Sequence, residues 1–238
     1  MGYKKIVQSG DLVETYEYKH SLVQRTVRER KRDVHRVGTP QRDRRQDNLY
    51  RLRKKFVGLV RSNLARGEKP LFITLTMYEI VSLRQAYRVY TRFVQRLRSS
   101  YGQGFKYIVV PEFQRRGAVH FHGLFWELPI NAERERQERK IQWAWRAGTI
   151  DCVQTDGSVK LAGYLGKYLF KSMSDQRLFT QKAYVASRNV LRPVSSVSQS
   201  AFGFIQSIVG DTVPEVIKQF ETRWLGTCRY TRYVLDLG

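Results

Sequence analysis

Thiols are almost absent from this chain: its 238 residues include only Cys152 and Cys228. Two cysteines so far apart make neither a disulfide scaffold nor a thiolate metal site, and both are expected to be reduced. Long apolar runs are also missing. Lys and Arg repeatedly break the hydrophobic stretches, and none approaches the roughly 18 to 20 residues that a spanning helix needs. The opening residues "MGYKKIVQSGDLVETYEYKH" lack the apolar stretch of a secretory leader, so a cytoplasmic location is expected and no membrane partner. No GxxxxGK[ST] phosphate loop occurs, which argues against a helicase motor. Acidic residues are scarce: 21 Asp and Glu face 43 Lys and Arg, for a formal net charge of +22. Such a field attracts polyanions. Arg dominates the excess and its planar fork fits phosphate, while 14 Tyr, 12 Phe and 4 Trp could stack on bases, so nucleic acid is the first candidate. A membrane surface or a ribosomal location would suit the charge alone.

What is present divides into three parts. Residues 1–69 read as a basic N-terminal extension, with a strongly basic run from Arg25 to Lys55. Within it Leu49, Leu52, Phe56, Leu59, Val60 and Leu64 recur at helical spacing and predict an amphipathic helix ending near Gly67. From residue 70 the pattern changes. "LFITLTM" (71–77) alternates as a strand, and 79–102 carries Leu83, Tyr87, Tyr90, Val94, Leu97 and Tyr101 on one helical stripe, stopped at Gly102. "FKYIVVPEF" and "AVHFHGLFWEL" predict two strands joined by the turn "QRRG". A helix over 131–148 with Asn131 as its cap, a strand "TIDCVQT" and a helix over 158–173 follow. The order β-α-β-β-α-β predicts an α+β fold, a ferredoxin-like or RRM-like antiparallel sheet with helices on one face and the other left open for a site. This core is expected to span 70–195. Residues 196–238 predict a C-terminal extension packing on it, with one or two short helices over 199–220 and a closing strand over 222–237.

Two of only four histidines fall in "VHFHG". Strand alternation puts His120 and His122 on one side, and a hairpin centred near residue 116 brings Glu112 opposite His120 with the same parity. Two imidazoles and a carboxylate suit a divalent ion such as Mn²⁺ or Mg²⁺ with open coordination positions. The plainer alternative is a pair of ordinary polar strand residues with Glu112 at a turn. Further along, "GYLGKYLFK" sets Tyr164 and Tyr168 about one helical turn apart, flanked by Lys167 and Lys171. Leu161, Leu165 and Leu169 already form an apolar stripe, so the tyrosines are not needed as the buried face. A tyrosine hydroxyl becomes a competent nucleophile when cations or a polarised electrophile lie nearby.

Taken in order, "FITLT", "EFQRRGAVHFHGL" and "YLGKYLFK" resemble the three motifs of the HUH endonucleases, the initiators of rolling-circle replication in small phages, single-stranded DNA viruses and plasmids. The resemblance covers roughly residues 70–195. "AYVASRNVLRP" also looks like the segment after the tyrosine helix in filamentous-phage and plasmid replication-associated proteins. It implies that His120 and His122 are metal ligands with Glu112 as the acidic third ligand, and that Tyr164 and Tyr168 are nucleophiles. The paired form is similar to two-tyrosine phage initiators. Lys167 would neutralise the phosphate or lower a tyrosine pKa, unless it is a plain surface lysine. Thr74, Thr76, Arg115, Arg116 and Lys171 are the expected DNA contacts.

The activity so implied is metal-dependent, site-specific nicking of DNA through a 5′-phosphotyrosine, leaving a 3′-OH primer that can later be rejoined. Single-stranded DNA at a replication origin would be the substrate, with a host helicase and DNA polymerase as partners in the host cytoplasm. A transposase or relaxase of the same superfamily, or a non-catalytic binding module on a similar sheet, are the competing readings.

Overall fold

A computed structural model describes residues 3–19, 41–64, 67–128, 134–173, 175–178, 181–197, 199–222 and 225–236. The fold is α+β. Among the described residues it has two antiparallel five-stranded sheets and five α-helices. The chain forms two compact units. One comprises 1–51, 61–66 and 192–238; the other comprises 52–60 and 67–191. The helix α1 (Gln41–Leu64) contributes residues to both. The basic stretch from Arg25 to Pro40 and the Asn131 cap lie outside the described residues.

In the first unit, strands β1 (Tyr3–Ser9) and β2 (Leu12–Tyr18) form a hairpin. The two-residue turn between them holds Gly10 at φ 65°, a conformation that suits glycine. The sheet order is β8-β1-β2-β10-β9, with β8 at Val194–Ser196, β9 at Val216–Thr222 and β10 at Gly226–Val234. One face packs Ile6, Val13 and Leu235 against Val209 and Phe202 of the helix Gln199–Val209. Asp11, buried at the hairpin turn, accepts two hydrogen bonds from Arg61, at 3.1 and 2.6 Å.

The second unit follows the predicted order. Strand β3 (Leu71–Met77) leads to helix α2 (Leu83–Tyr101), then β4 (Lys106–Phe113), β5 (Val119–Trp126), α3 (Arg134–Trp145), β6 (Gly148–Gln154) and α4 (Lys160–Met173). Strand β7 (Val185–Ala186) adds to the edge, giving the order β6-β3-β5-β4-β7. Odd-numbered strand residues such as Ile73, Leu75, Val109, Phe121 and Phe125 pack against Ala86, Tyr90, Phe93, Val94 and Leu97 of α2 and Trp145 of α3. Helix α2 begins four residues later than its predicted start because Ser82 and Gln85 form a capping box there.

Two expectations are revised. The sheet face opposite α2 and α3 is not left open: α4 packs on it, with Leu165 and Leu169 fully buried and the Ser172 hydroxyl donating to the Pro111 carbonyl. Residues 216–222 are a strand and not part of a short helix, since β-branched Val216 and Ile217 find a partner in β10. The terminal segments, read from the sequence as separate extensions, pair through β2 and β10 in one sheet, and residues 3–18, assigned no element from sequence, supply its hairpin.

At the start of β6 a Cβ on Gly148 would lie 1.7 Å from the Thr76 carbonyl oxygen, which belongs to backbone and cannot yield. Gly148→Ala is expected to cost about 1–3 kcal/mol through this overlap. Gly163, with open space around it in α4, should gain about 0.5–1 kcal/mol as alanine. Urea unfolding of both variants checks the contrast, and equal midpoints would refute it.

Candidate active site

The site is built on β5, the centre of the second sheet. Its antiparallel register with β4 places Glu112 opposite His120 and Val110 opposite His122, as the length of the 114–117 turn requires. On the other side β3 sets Thr74 opposite His122 and Thr76 opposite His120. Alternation then turns Thr74, Thr76, Glu112, His120 and His122 to the face that α4 overlies. Helix α4 starts where Asp156 accepts from the Ser158 N–H and Ser158 from the Lys160 N–H. Tyr164, Tyr168 and Lys171 follow at intervals of four and three residues, so all three face the sheet's polar row.

The contacts form a chain. His122 Nε2 lies 2.8 Å from Glu112 Oε2, and Lys171 Nζ donates to Glu112 Oε1. Thr74 Oγ1 lies 3.3 Å from His122 Nδ1. The Tyr168 ring stacks on the His122 ring with centroids 4.0 Å apart and planes at 21°. Its hydroxyl is 2.8 Å from that of Tyr164. Phe72 touches all three rings, at 5.5 Å from Tyr164, 6.3 Å from Tyr168 and 6.2 Å from His122. His120 stands apart: its ring centroid is 5.8 Å from that of His122, and its Nε2 is buried without a hydrogen-bond partner.

Electrostatics sets the protonation of these groups. Burial would raise the Glu112 carboxyl, but Lys171 and His122 together hold it below its ordinary value, so it is ionised and accepts only. Burial pushes both histidines down, against the pull of Glu112 on each, and they are neutral at physiological pH. His122 therefore donates from Nε2 to Glu112, and its Nδ1 accepts from Thr74. Tyr168 is pushed up to about 12, chiefly by burial and then by its bond with Tyr164. Tyr164 is 44% exposed. Among the described residues no three His, Cys, Asp or Glu side chains form a group that could hold a metal ion as they stand.

The other expected residues divide. Lys167 is exposed on α4, and Lys171 is the lysine that reaches the carboxylate. Arg116 is committed to the turn, donating to the Met77 and Tyr78 carbonyls and to Gln114, while Arg115 is exposed beside it. Sequence reasoning missed Phe72 and Asp151. Phe72 shares the parity of Thr74 and Thr76 and could have been placed from alternation; Asp151 pairs with Thr74 only through the β3–β6 register.

Truncating Glu112 leaves the Nε2–H of buried His122 without its acceptor, so Glu112→Ala should lose about 1–3 kcal/mol of stability. The Lys171 side chain is 71% exposed, and Lys171→Gln should lose less than about 1 kcal/mol. The sign of the pH effect follows from the depressed carboxyl. Its contribution is fully present above the ordinary value of 4.5 and is lost as pH falls through the lower folded-state value. Melting curves of the wild type and Glu112→Gln should therefore differ at pH 7 and converge in acid. A gap that widened in acid would contradict this assignment.

No curated protein and no solved structure gives a significant match to the chain. Among the described residues no helix is long and apolar enough to cross a membrane. Residues 70–173, the segment that supplies every side chain of this site, match the family model described as replication-associated protein ORF2/G2P, and that similarity supports a replication initiator family.

Proposed function

We propose that this chain nicks and rejoins DNA at a specific site to initiate rolling-circle replication, with an HUH endonuclease core on a ferredoxin-like sheet. The strand order β6-β3-β5-β4, which is fourth, first, third, second in the β-α-β-β-α-β run, supports the sheet assignment. The observation that carries the reading is the pair of tyrosine hydroxyls 2.8 Å apart, on a helix whose Tyr168 ring stacks on His122 of the polar sheet row. A packing role alone would not bring an exposed tyrosine, a second hydroxyl, two neutral imidazoles, a carboxylate and a lysine to one place. The family similarity of residues 70–173 supports the replication role independently.

In this reading the Tyr164 oxygen attacks phosphorus in line and the bond from phosphorus to O3′ breaks. The proton lost by the attacking hydroxyl is matched by one taken up at O3′, leaving a 5′-phosphotyrosine and a free 3′-OH. Because the phosphotyrosine retains the bond energy, a 3′-OH can attack it later and reseal the strand. Tyr168 holds the second hydroxyl for a second strand. Lys167 and Lys171 supply positive charge at the phosphate.

The donor chemistry fits a divalent ion such as Mn²⁺ or Mg²⁺: His120 Nε2 is buried and unpartnered, both imidazoles are neutral and Glu112 is ionised. His120, His122 and Glu112 would hold it, and when bound it would supply Lewis-acid stabilisation of charge on the phosphate. Lys171 and the bond between Glu112 and His122 would give way to it. Thr74 Oγ1 would then accept a hydrogen bond from His122 Nδ1–H, the tautomer that leaves Nε2 free as a ligand, which gives this threonine an orienting role.

Incubation with a single-stranded origin oligonucleotide and Mn²⁺ should give a covalent adduct between the protein and the 5′ end of the released DNA. Chelation should abolish it, as should His120→Ala or His122→Ala. Tyr164→Phe should reduce the adduct at least tenfold and more than Tyr168→Phe does; mass spectrometry of the labelled peptide identifies the nucleophile. Salt-dependent binding with no adduct would sink the enzymatic reading in favour of a binding module, and equal losses in the two variants would remove the ranking.

A further inference from the structure

Helix α2 carries a feature that the active-site reading does not use. Its 19 residues include Arg84, Arg88, Arg92, Arg96 and Arg98 and no Asp or Glu, not even in the first turn, where the helix dipole favours acid. Arg84, Arg88 and Arg92 recur every four residues and all are exposed. Among the described residues none of the three has a hydrogen bond or an ion pair. The opposite side of the helix is spent on the core through Leu83, Ala86, Tyr90, Phe93, Val94 and Leu97, so the arginine row faces away from the sheet.

The row continues into a crowded positive corner. Arg96 donates to the Ala144 and Trp145 carbonyls at the end of α3. Burial lowers the pKa of Arg96, and the positive charges of Arg146 and Arg92 lower it further. Arg146, exposed, lies 4.1 Å above the ring of Trp143. Like charges four residues apart on a helix repel and destabilise it. The steps from Arg84 to Arg88, Arg88 to Arg92 and Arg92 to Arg96 all carry that penalty, with no acid to offset it. Packing gives no reason for this arrangement, whereas a polyanion lying along the helix would reverse its sign.

We infer that Arg84, Arg88 and Arg92 form a contact for the phosphate backbone of duplex DNA, on the side of the second sheet opposite the candidate active site. The geometry favours a backbone over an isolated anion. Four residues of helix advance about 6 Å, so the three guanidinium groups span about 12 Å, over which one strand of a duplex presents three to four phosphates. The row itself holds no exposed aromatic, because Tyr87 and Tyr90 pack on the core, and the exposed Trp143 ring of the adjoining corner has Arg146 stacked over it. A single strand bound without sequence preference would call for such a stacking platform. Contacts of this kind position DNA without reading its bases. The surface is independent of the proposed cleavage chemistry and would hold duplex beside a single-stranded target.

The test uses the full chain and two fluorescent probes, a 30-base-pair duplex and a 30-nucleotide single strand, with affinity followed from about 50 to 200 mM salt. The triple variant Arg84→Gln, Arg88→Gln, Arg92→Gln is compared with wild type and with the matching triple lysine variant. A charge-matched control carries Arg192→Gln, Lys218→Gln and Arg229→Gln, three exposed residues of the other unit. Loss of three phosphate contacts should lower the slope of log affinity against log salt by about 3 and weaken duplex binding roughly tenfold or more. The lysine variant should restore most of the slope, and the control should change it by less than about one. Adduct formation with a short single-stranded oligonucleotide should be unchanged in the glutamine variant. An unchanged duplex slope would overturn the inference, as would equal losses in the control or a loss confined to the single-stranded probe. If wild type forms no adduct yet the duplex slope falls as stated, the cleavage reading fails and this inference stands.

Discussion

The antiparallel register of β4 and β5 is the constraint on which the site depends. Side chains alternate along a strand, so a slip of one residue in the 114–117 turn would send His120 and His122 into the α2 side of the sheet. There they would displace Val119 and Phe121, which are fully buried in that core. The cost of such a slip is paid in hydrophobic burial, and the polar row inherits its precision from the apolar one. Trp145 reinforces the arrangement from the core side by donating from its indole to the Thr76 carbonyl.

On the polar side a few groups share their hydrogen bonds tightly. Glu112 is divided between Lys171 and His122, and His122 is divided between Glu112 and Thr74. The Lys171 ammonium lies on a carboxylate that would otherwise be nearly buried and uncompensated. The same lysine and the two tyrosines belong to one helix, so the docking of α4 through Leu165 and Leu169 sets the cation and both hydroxyls together. The side chains of α4 thus divide cleanly between packing and chemistry.

The second sheet presents opposite characters on its two sides. One carries the histidines, the carboxylate and the tyrosines; beyond the other, α2 turns a row of arginines outward. Concentrating positive charge on an exposed helix without acid is unfavourable for the helix itself, and 22 of the chain's 43 basic residues have no acidic residue to offset them. The first unit differs. There Asp11 with Arg61 and Glu14 with Tyr16 and Tyr230 keep their polar groups paired internally.

Local pattern determined much of the second unit. Alternation and helical period marked its strands and helices, and turn length brought Glu112 to His120, because these are matters of backbone geometry over a few residues. The separation of Leu165 and Leu169 from Tyr164 and Tyr168 on α4 was legible for the same reason. What tertiary structure alone decided were pairings between segments far apart in sequence. The return of α4 over the polar face, the choice of Lys171 over Lys167 at Glu112, the placing of Asp151 beside Thr74, and the union of β2 with β10 all depend on contacts that no local period encodes. The strand Val216–Thr222 belongs with them: its apolar residues do not distinguish a short helix from a strand until β10 supplies a hydrogen-bonding partner.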